Sequence, residues 1–397
     1  MTAVPRKVVL AVVLRMLAPV TVVLFTCSAV AAPQERRVAD SSTDLERFVS
    51  GERLALQLPG LAAVIVRSDG RPRVHVSGER RIGKGDLITP ADRMHLGSLT
   101  KAITATLIGA LAEKGLMTLE TTIGQIFPEL SAKIRPAYRD VNVRQLLSHA
   151  AGIPPYRTRE SLLWMLTLKG TPSEQRYALV ERVLAEPPRF EPGTRHEYSN
   201  AGAAIAGAMA ERIGGSPYRQ LVQELIFARF GGRAAFGNPG LAADQPWGHM
   251  RTFSGTVTEV SPANAVYTTP SAIEPAGDAS PSLEDYGRFV QLHLRGLRGR
   301  DDVLKAETIR KLHGGGAPND PAGRSALGWA VMPRDGVESR EHVGSYGAYV
   351  AYATIQPPRD IAVGVFTNMG GGQDLRNAVA RIALTIATRV SIAAKPD

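Results

Sequence analysis

Apolar residues recur at strand spacing near both ends of the chain. Residues 61–66 form a continuous apolar run and residues 73–77 alternate, with the turn-forming pair Asp69-Gly70 between them, so this segment predicts a β-hairpin. Nearer the other end, three runs rich in apolar residues predict further strands over residues 327–332, 349–355 and 361–367. Both ends of the folded region are therefore expected to contribute strands.

The middle of the chain follows a helical period instead. From about residue 99 to residue 213, apolar residues recur every three or four positions, which predicts a series of helices. Three further segments are predicted: an amphipathic helix over 45–58, a long loop with short strands over 239–281, and an amphipathic helix over 375–390.

This order of elements predicts a mixed fold, α/β of the α+β kind. One sheet would be built from both chain ends, and an all-α region over about residues 100–240 would be inserted between its two groups of strands. The folded domain is expected over residues 45–390, with a short tail over 391–397. No internal repeat interrupts this pattern.

The first residues have the pattern of a secretory signal peptide. Arg6 and Lys7 precede an apolar run over residues 16–25, and small residues follow up to Ala31 and Ala32, where cleavage is expected. The sequence therefore predicts a signal peptide over 1–32, a polar spacer over 33–44, and a periplasmic or secreted mature protein.

Two other fates of this segment are less favoured. A retained membrane anchor is disfavoured because the apolar run is shorter than the ~20 residues of a spanning helix and contains Pro19. Lipidation of Cys27 is disfavoured because Phe25 and Thr26 are poor small-residue neighbours for it. We expect a mature form without a stable membrane span and without cysteine.

Composition narrows the function classes. The 397 residues are 44% hydrophobic and 21% charged, enough for a globular core, and a single cysteine excludes an intramolecular disulfide framework and a cysteine zinc site. The net charge of +10 comes from basic residues scattered among 37 acids, so a nucleic-acid partner is not expected. No zinc-protease motif and no phosphate-binding loop is present, and we expect neither a metal nor a cofactor. The expected partner is a small-molecule or peptide substrate, whereas the oligomeric state is left open.

The first candidate chemistry lies in Gly97-Ser98-Leu99-Thr100-Lys101, at the predicted start of a helix. Side chains three positions apart on a helix share one face, so Lys101 could accept the proton of the Ser98 hydroxyl if burial lowers its pKa. The alternative is a helix-capping serine beside an exposed lysine.

The second and third motifs supply a phenol, an amide and an imidazole. In His196-Glu-Tyr198-Ser-Asn200, Tyr198 could relay a proton and Asn200 could bind a substrate amide, although an ordinary turn with a packed tyrosine is the alternative. In His342-Val-Gly344-Ser345, the histidine could meet a substrate carboxylate and the Ser345 N–H could help bind an oxyanion. A partly exposed structural histidine is the alternative there.

Taken in this order, Ser-x-x-Lys, Tyr-x-Asn and His-x-Gly resemble the serine β-lactamase and penicillin-binding protein superfamily, in its class C β-lactamase, DD-carboxypeptidase and family VIII-type esterase branch. Four other segments look like the same family: residues 146–154, 190–193, 327–329 and 365–368. The resemblance covers about residues 45–390.

The resemblance implies an antiparallel sheet flanked by helices, with an all-helical subdomain and a cleft between them. It implies that Ser98 is the acylated nucleophile, that Lys101 and Tyr198 transfer its proton, and that the N–H groups of Ser98 and Ser345 bind the oxyanion. Class C β-lactamases usually have Lys-Thr-Gly at the third motif. His342-Val-Gly344 looks more like DD-peptidase and D-aminopeptidase relatives, so a peptidase or amidase is favoured over a β-lactamase, a carboxylesterase or a penicillin-binding sensor.

Overall fold

A computed structural model describes residues 42–264, 268–314, 316–317 and 324–393 of the chain. The described residues all belong to one compact unit. The predicted signal peptide, the cleavage site, Cys27, most of the spacer and the last four residues of the predicted tail lie outside the described residues.

The strands of the described residues are β1 Gly60–Val66, β2 Arg73–Gly78, β3 Gly248–Arg251, β4 Val257–Val260, β5 Arg324–Ala326, β6 Trp329–Arg334, β7 Val337–Tyr346, β8 Tyr349–Gln356 and β9 Ile361–Thr367. The α-helices are α1 Ser42–Ala55, α2 Thr100–Glu113, α3 Ile123–Ile126, α4 Val143–Leu147, α5 Arg159–Leu166, α6 Pro172–Ala185, α7 Asn200–Gly214, α8 Tyr218–Val222, α9 Glu274–Gly277, α10 Leu283–Leu297, α11 Ala306–Leu312 and α12 Gln373–Ala393.

Seven strands form one antiparallel sheet in the order β2-β1-β9-β8-β7-β6-β5. The strand nearest the start of the chain, β1, pairs directly with the last strand, β9, so the sheet is built from both chain ends as predicted. Helices α2 to α8 occupy the chain between β2 and β3, where the inserted helical region is expected. The mixed fold with an antiparallel sheet and flanking helices is confirmed.

The sheet is buried on both faces, which explains the continuous apolar runs of its central strands. Alternate residues of β1 pack into two different cores: Leu61, Ala63 and Ile65 lie with residues of α1 and α12, whereas Ala62 and Val64 lie with residues of α2 and α10. The side of the sheet that carries α2 is the side where the candidate serine lies.

The structure differs from the predicted elements in three places. The predicted strand over 327–332 corresponds to β6 and starts two residues too early, because Leu327 and Gly328 form the turn between β5 and β6. Gly328 has a φ of +79°, and a Cβ there would lie 2.7 Å from the backbone nitrogen of Ala102 on α2. The third motif lies on β7, a strand that was not predicted from the sequence pattern and that directly precedes β8. Helices α10 and α11 follow the predicted loop, where no helix is expected from the sequence pattern.

Candidate active site

Ser98 lies in a short 3-10 helix, Gly97–Leu99, that leads directly into α2. This turn brings the partly exposed serine to one wall of a cleft, and its side chain caps no backbone group of the helix. Lys101 follows one turn later, and its Nζ lies 3.3 Å from Ser98 Oγ. Lys101 is only 1% exposed, so the alternative of a capping serine beside an exposed lysine is wrong.

The Lys101 amine is held by three polar partners inside the protein. Besides Ser98, its Nζ donates to Asn200 Oδ1 at 2.9 Å and to the carbonyl oxygen of Ala276 at 2.6 Å. Burial lowers the pKa of Lys101, and the neighbouring Tyr198 opposes this shift only in part. A lysine in this state releases a proton more readily than a solvated lysine does.

Ala276 is placed by a buried ion-pair network behind the lysine. It lies on α9, whose Glu274 is fully buried and pairs with Arg176 of α6 and Arg219 of α8. Arg176 is also fully buried and reaches Glu211 of α7 with its Nε at 3.1 Å. Removing one partner would leave a buried charge unpaired, so the network fixes the helices that surround the Lys101 amine.

Tyr198 completes a hydrogen-bonded group of three side chains. Its phenol oxygen lies 2.6 Å from Ser98 Oγ, and the Lys101 Nζ lies 4.7 Å from the centroid of its ring. The three side chains come from the 3-10 helix, from α2 and from the loop before α7, and the fold brings them together. A proton that leaves the Ser98 hydroxyl can reach either the phenol or the amine directly.

Asn200 is the first residue of α7, and its side-chain oxygen is occupied by Lys101. Its amide nitrogen is then the group that can donate to a substrate carbonyl. The preceding Ser199 caps α7 by accepting the Gly202 N–H, and its hydroxyl donates to the Pro154 carbonyl. Asn200 lines a cavity together with Ser98, and its role in binding a substrate amide stays a prediction.

Ser345 reaches Ser98 because two glycines allow a strand to lie against a helix start. A Cβ on Gly97, whose φ is +52°, would lie 2.7 Å from the Ser345 nitrogen, and a Cβ on Gly344 would lie 2.1 Å from the Leu96 carbonyl oxygen. β6 pairs with β7 only as far as Glu341, so the edge of β7 beyond it faces the 3-10 helix. The backbone of Ser345 therefore lies next to the backbone that precedes Ser98.

His342 lies beside the cleft but is held as a neutral ring. Its Nδ1 lies 2.6 Å from the Gly328 carbonyl oxygen, so Nδ1 carries the proton that donates to it. Burial and the nearby Lys101 charge lower the pKa of His342 to about 4. The histidine therefore carries no charge at neutral pH, and it supplies no cation for a substrate carboxylate.

Two cavities meet at Ser98. The larger has a volume of about 580 Å³, is reached by Ser98, Tyr198 and His342, and has apolar walls that include Trp329 and Met332. The smaller has a volume of about 160 Å³ and is lined by Ser98, Asn200, Ser345 and Tyr346, among others. A substrate carbonyl placed at Ser98 would have room on both sides.

His149 is a site residue that the sequence motifs did not single out. Its Nδ1 accepts the Ser199 N–H at 3.3 Å, its carbonyl accepts the Glu197 N–H at 2.9 Å, and its ring lies 4.5 Å from the Tyr198 ring. These contacts hold the loop that carries Tyr198. The available signal was the segment over residues 146–154, which looks like the same family and contains this histidine.

Neither a metal-binding cluster nor a membrane-spanning helix occurs among the described residues. No group of three or more His, Cys, Asp or Glu side chains in the described ranges is arranged to hold a metal ion. Within the same ranges, no helix combines the length and the apolar character that crossing a membrane requires.

The sequence of the chain is similar to those of several known proteins. The chain is 25% identical over 340 residues to penicillin-binding protein 4 of Amycolatopsis lactamdurans, which covers 82% of this chain and 84% of that protein. It is 23% identical over 283 residues to a beta-lactamase of Escherichia coli K12, covering 70% and 67%, and 28% identical over 172 residues to the lovastatin esterase of Penicillium rubens, covering 40% and 42%.

Solved structures share the fold. The D-alanine carboxypeptidase AmpC of Burkholderia cenocepacia superimposes with a TM-score of 0.68 at 22% identity, covering 87% of this chain and 100% of that one. The octameric penicillin-binding protein homologue of Pyrococcus abyssi superimposes with a TM-score of 0.70 at 23% identity, covering 88% and 77%. The model of the beta-lactamase family matches residues 44–387. The chain therefore belongs to the beta-lactamase family of serine hydrolases.

Proposed function

We propose that the chain hydrolyses its substrate through a covalent acyl-enzyme on Ser98. The observation that carries this proposal is the contact of Ser98 Oγ with both Lys101 Nζ, at 3.3 Å, and the Tyr198 phenol, at 2.6 Å, beside two cavities. The serine oxygen attacks the substrate carbonyl carbon, its proton passes to the Lys101–Tyr198 pair, and the same proton leaves with the amine. Water then attacks the ester and releases the acid.

The oxyanion of each step would be bound by the backbone N–H groups of Ser98 and Ser345. Support comes from the close approach of Gly97 and Ser345, since a Cβ on Gly97 would lie 2.7 Å from the Ser345 nitrogen. Gly344 has no side chain, and this permits the approach. Asn200 would donate its amide N–H to the substrate.

We propose that peptides or small amides are hydrolysed better than β-lactams, as in DD-carboxypeptidases or D-aminopeptidases. His342 occupies the position at which class C β-lactamases usually have a lysine, and its lowered pKa leaves it uncharged at neutral pH. A full positive charge that would suit the carboxylate of a penicillin is therefore missing from this position. A carboxylesterase is the second candidate, since the larger cavity has apolar walls and the lovastatin esterase is a relative.

The test compares purified wild type with Ser98→Ala on four substrate classes: D-amino-acid p-nitroanilides, short peptides, p-nitrophenyl esters and a chromogenic cephalosporin. We expect wild type to favour the amides and Ser98→Ala to lose turnover by at least about a thousandfold. Intact-mass spectrometry with a fluorophosphonate should show an adduct on wild type only. An equal adduct on Ser98→Ala would contradict the assignment of Ser98 as the nucleophile. A kcat/KM for the cephalosporin near ~10⁷ M⁻¹s⁻¹, with negligible peptidase and esterase activity, would indicate a β-lactamase. Acylation without release would indicate a penicillin-binding sensor.

We also propose that the protein is exported and acts in the periplasm or outside the cell. Arg6, Lys7, the apolar run and the small residues before Pro33 support this proposal. N-terminal sequencing of protein from the native host should give a first residue of Ala32 or Pro33. A cytoplasmic form that starts at Met1 would contradict export.

A further inference from the structure

Arg157 lines three cavities, and the nucleophile Ser98 lines two of them. It lines the 580 Å³ cavity and the 160 Å³ cavity beside Ser98, and it also lines a third cavity of about 730 Å³ that contains Tyr156 and Trp164. Among the described residues, only Ser98 and Ser345 share with it both of the cavities at the nucleophile. The Arg157 side chain is thus available to a group bound beside it in any of the three cavities.

The backbone that carries Arg157 is tied to the active-site loop. The carbonyl of Pro154 accepts the Ser199 hydroxyl, and the carbonyl of Pro155 accepts the Asn200 N–H at 3.0 Å. Tyr156 is buried and its phenol donates to Glu186. The chain on one side of Arg157 is therefore held against the residues that follow Tyr198, although Arg157 itself is exposed.

The guanidinium of Arg157 has no partner among the described residues, because neither a hydrogen bond nor an ion pair involves it there. Most other arginines near this cleft are occupied: Arg182 lies over the Trp164 ring, Arg189 faces Glu197, and Arg376 donates to Gln373 at 3.0 Å. An uncommitted guanidinium offers five N–H donors in a planar fork that fits a carboxylate.

The other positive groups of the site do not serve this purpose. The Lys101 amine is buried among three partners, and His342 is neutral with its Nδ1 bound to Gly328. Arg376 lines only the larger cavity, where it is found with Met332 and Tyr352. Among the described residues that line the 160 Å³ cavity, Arg157 is the one cation.

Resting on the proposed acylation of Ser98, we propose that Arg157 binds a carboxylate on the substrate and makes the enzyme selective for anionic acyl donors. The contact is a charge-assisted hydrogen bond at the junction of the cavities, and the adjoining 730 Å³ cavity leaves room for a bulky group beyond the carboxylate. An arginine stays protonated over the working range of pH, so this selectivity does not depend on a histidine charge.

The test uses boronic acids, which bond reversibly to the serine oxygen and need no leaving group. Isothermal titration calorimetry compares 3- and 4-carboxyphenylboronic acid with 3- and 4-methylphenylboronic acid on wild type, Arg157→Gln, Arg157→Lys, Arg376→Gln and Ser98→Ala. We expect Arg157→Gln to weaken binding of at least one carboxyl compound about five- to tenfold and to change the methyl compounds less than about twofold. Arg157→Lys should retain part of the preference, and the loss should shrink in 0.5 M NaCl because the arginine is exposed.

The matched control is Arg376→Gln, which removes a guanidinium from the same cavity and should leave the preference unchanged. An unchanged preference in Arg157→Gln, or its loss in Arg376→Gln instead, overturns the inference while leaving the nucleophile intact. If wild type binds none of the boronic acids, or if Ser98→Ala binds them as tightly as wild type does, both the proposed function and this inference are overturned. Circular dichroism of each variant ensures that only folded proteins are compared.

Discussion

At the scale of single residues, the decisive property of the site is the burial of one amine. A lysine three residues after a serine is common, and most such lysines extend into water. Lys101 is instead 1% exposed and shares its donors among Ser98, Asn200 and Ala276. Burial makes the charged form costly and so lowers the pKa of the amine, whereas the neighbouring Tyr198 limits the shift.

This arrangement predicts that Lys101 and Tyr198 act as one proton-transfer unit. Lys101→Met and Tyr198→Phe should each lower kcat/KM by roughly 10²- to 10⁴-fold, and the double variant should be little worse than the poorer single variant. Steady-state kinetics on one amide and one ester provides the measurement. If the two losses simply multiply, the side chains act independently and the shared proton path is wrong.

At the scale of elements, the site depends on a strand lying against the start of a helix. The edge of β7 contacts the 3-10 helix without an intervening side chain, because both Gly97 and Gly344 lie at the contact. The space between the two backbones leaves no room for a methyl group. The Ser345 backbone can therefore lie this close only because both contact positions are glycine.

Gly344→Ala should therefore impair the site more than an ordinary glycine substitution does. Its new Cβ would lie 2.1 Å from the Leu96 carbonyl oxygen, so β7 must move away from Ser98 and kcat should fall at least about tenfold. Gly51→Ala is the matched control, since nothing lies within 4 Å of a Cβ there and helix α1 should gain about 0.5–1 kcal/mol. Steady-state kinetics and thermal melts of both variants provide the measurement. Full activity of Gly344→Ala would show that the close contact of β7 with the 3-10 helix is not needed for catalysis.

The elements that could be predicted from the sequence are those whose patterns are simple. β1, β8 and β9 are apolar and buried, β2 alternates, and all four match the predicted ranges within a residue or two. β7 was not recognised because its buried polar residues are paired across strands: Glu341 binds Arg334, and the Ser339 hydroxyl lies 2.8 Å from that of Thr354. Such pairs hide the alternation that marks a strand.

The start of helix α10 could have been predicted from Ser282 as a cap, with Asp285 three residues later, in front of an amphipathic run.

Ser98, Lys101 and Tyr198 could be named from their motifs, but their contacts could not, because distant segments supply them. His149 lies in the family-like segment over residues 146–154, but its role could not be named from it, and Arg157 lies outside every motif. They enter the site only because α7 and the loop before it fold against residues 149–157.

At the scale of the whole molecule, a buried chain of hydrogen bonds joins three helices on the face of the sheet that carries the site. Thr106 of α2 donates to the Ala102 carbonyl at 2.8 Å, so its oxygen accepts from His293 Nε2 on α10. His293 Nδ1 then accepts from His313 Nε2, 2.9 Å away at the end of α11. His293 must be neutral for this order of donors to hold, because its Nδ1 accepts, and both rings are buried.

Burial lowers the pKa of His293 to about 3, and the same cause lowers the pKa of His313 well below its ordinary value. Because these two rings bind protons below about pH 6.5 in the unfolded chain and stay neutral in the folded chain, stability falls on acidification. For His293 the loss is about 2 kcal/mol between pH 7.5 and 5.0. His293→Leu should have a lower Tm at pH 7.5, since Thr106 and His313 lose a partner, but a smaller drop in Tm on acidification than wild type. Carboxylates such as the buried Glu274 are common to both proteins and cancel in the difference. Equal Tm drops between pH 7.5 and 5.0 would mean that the His293 ring is not held neutral by the fold.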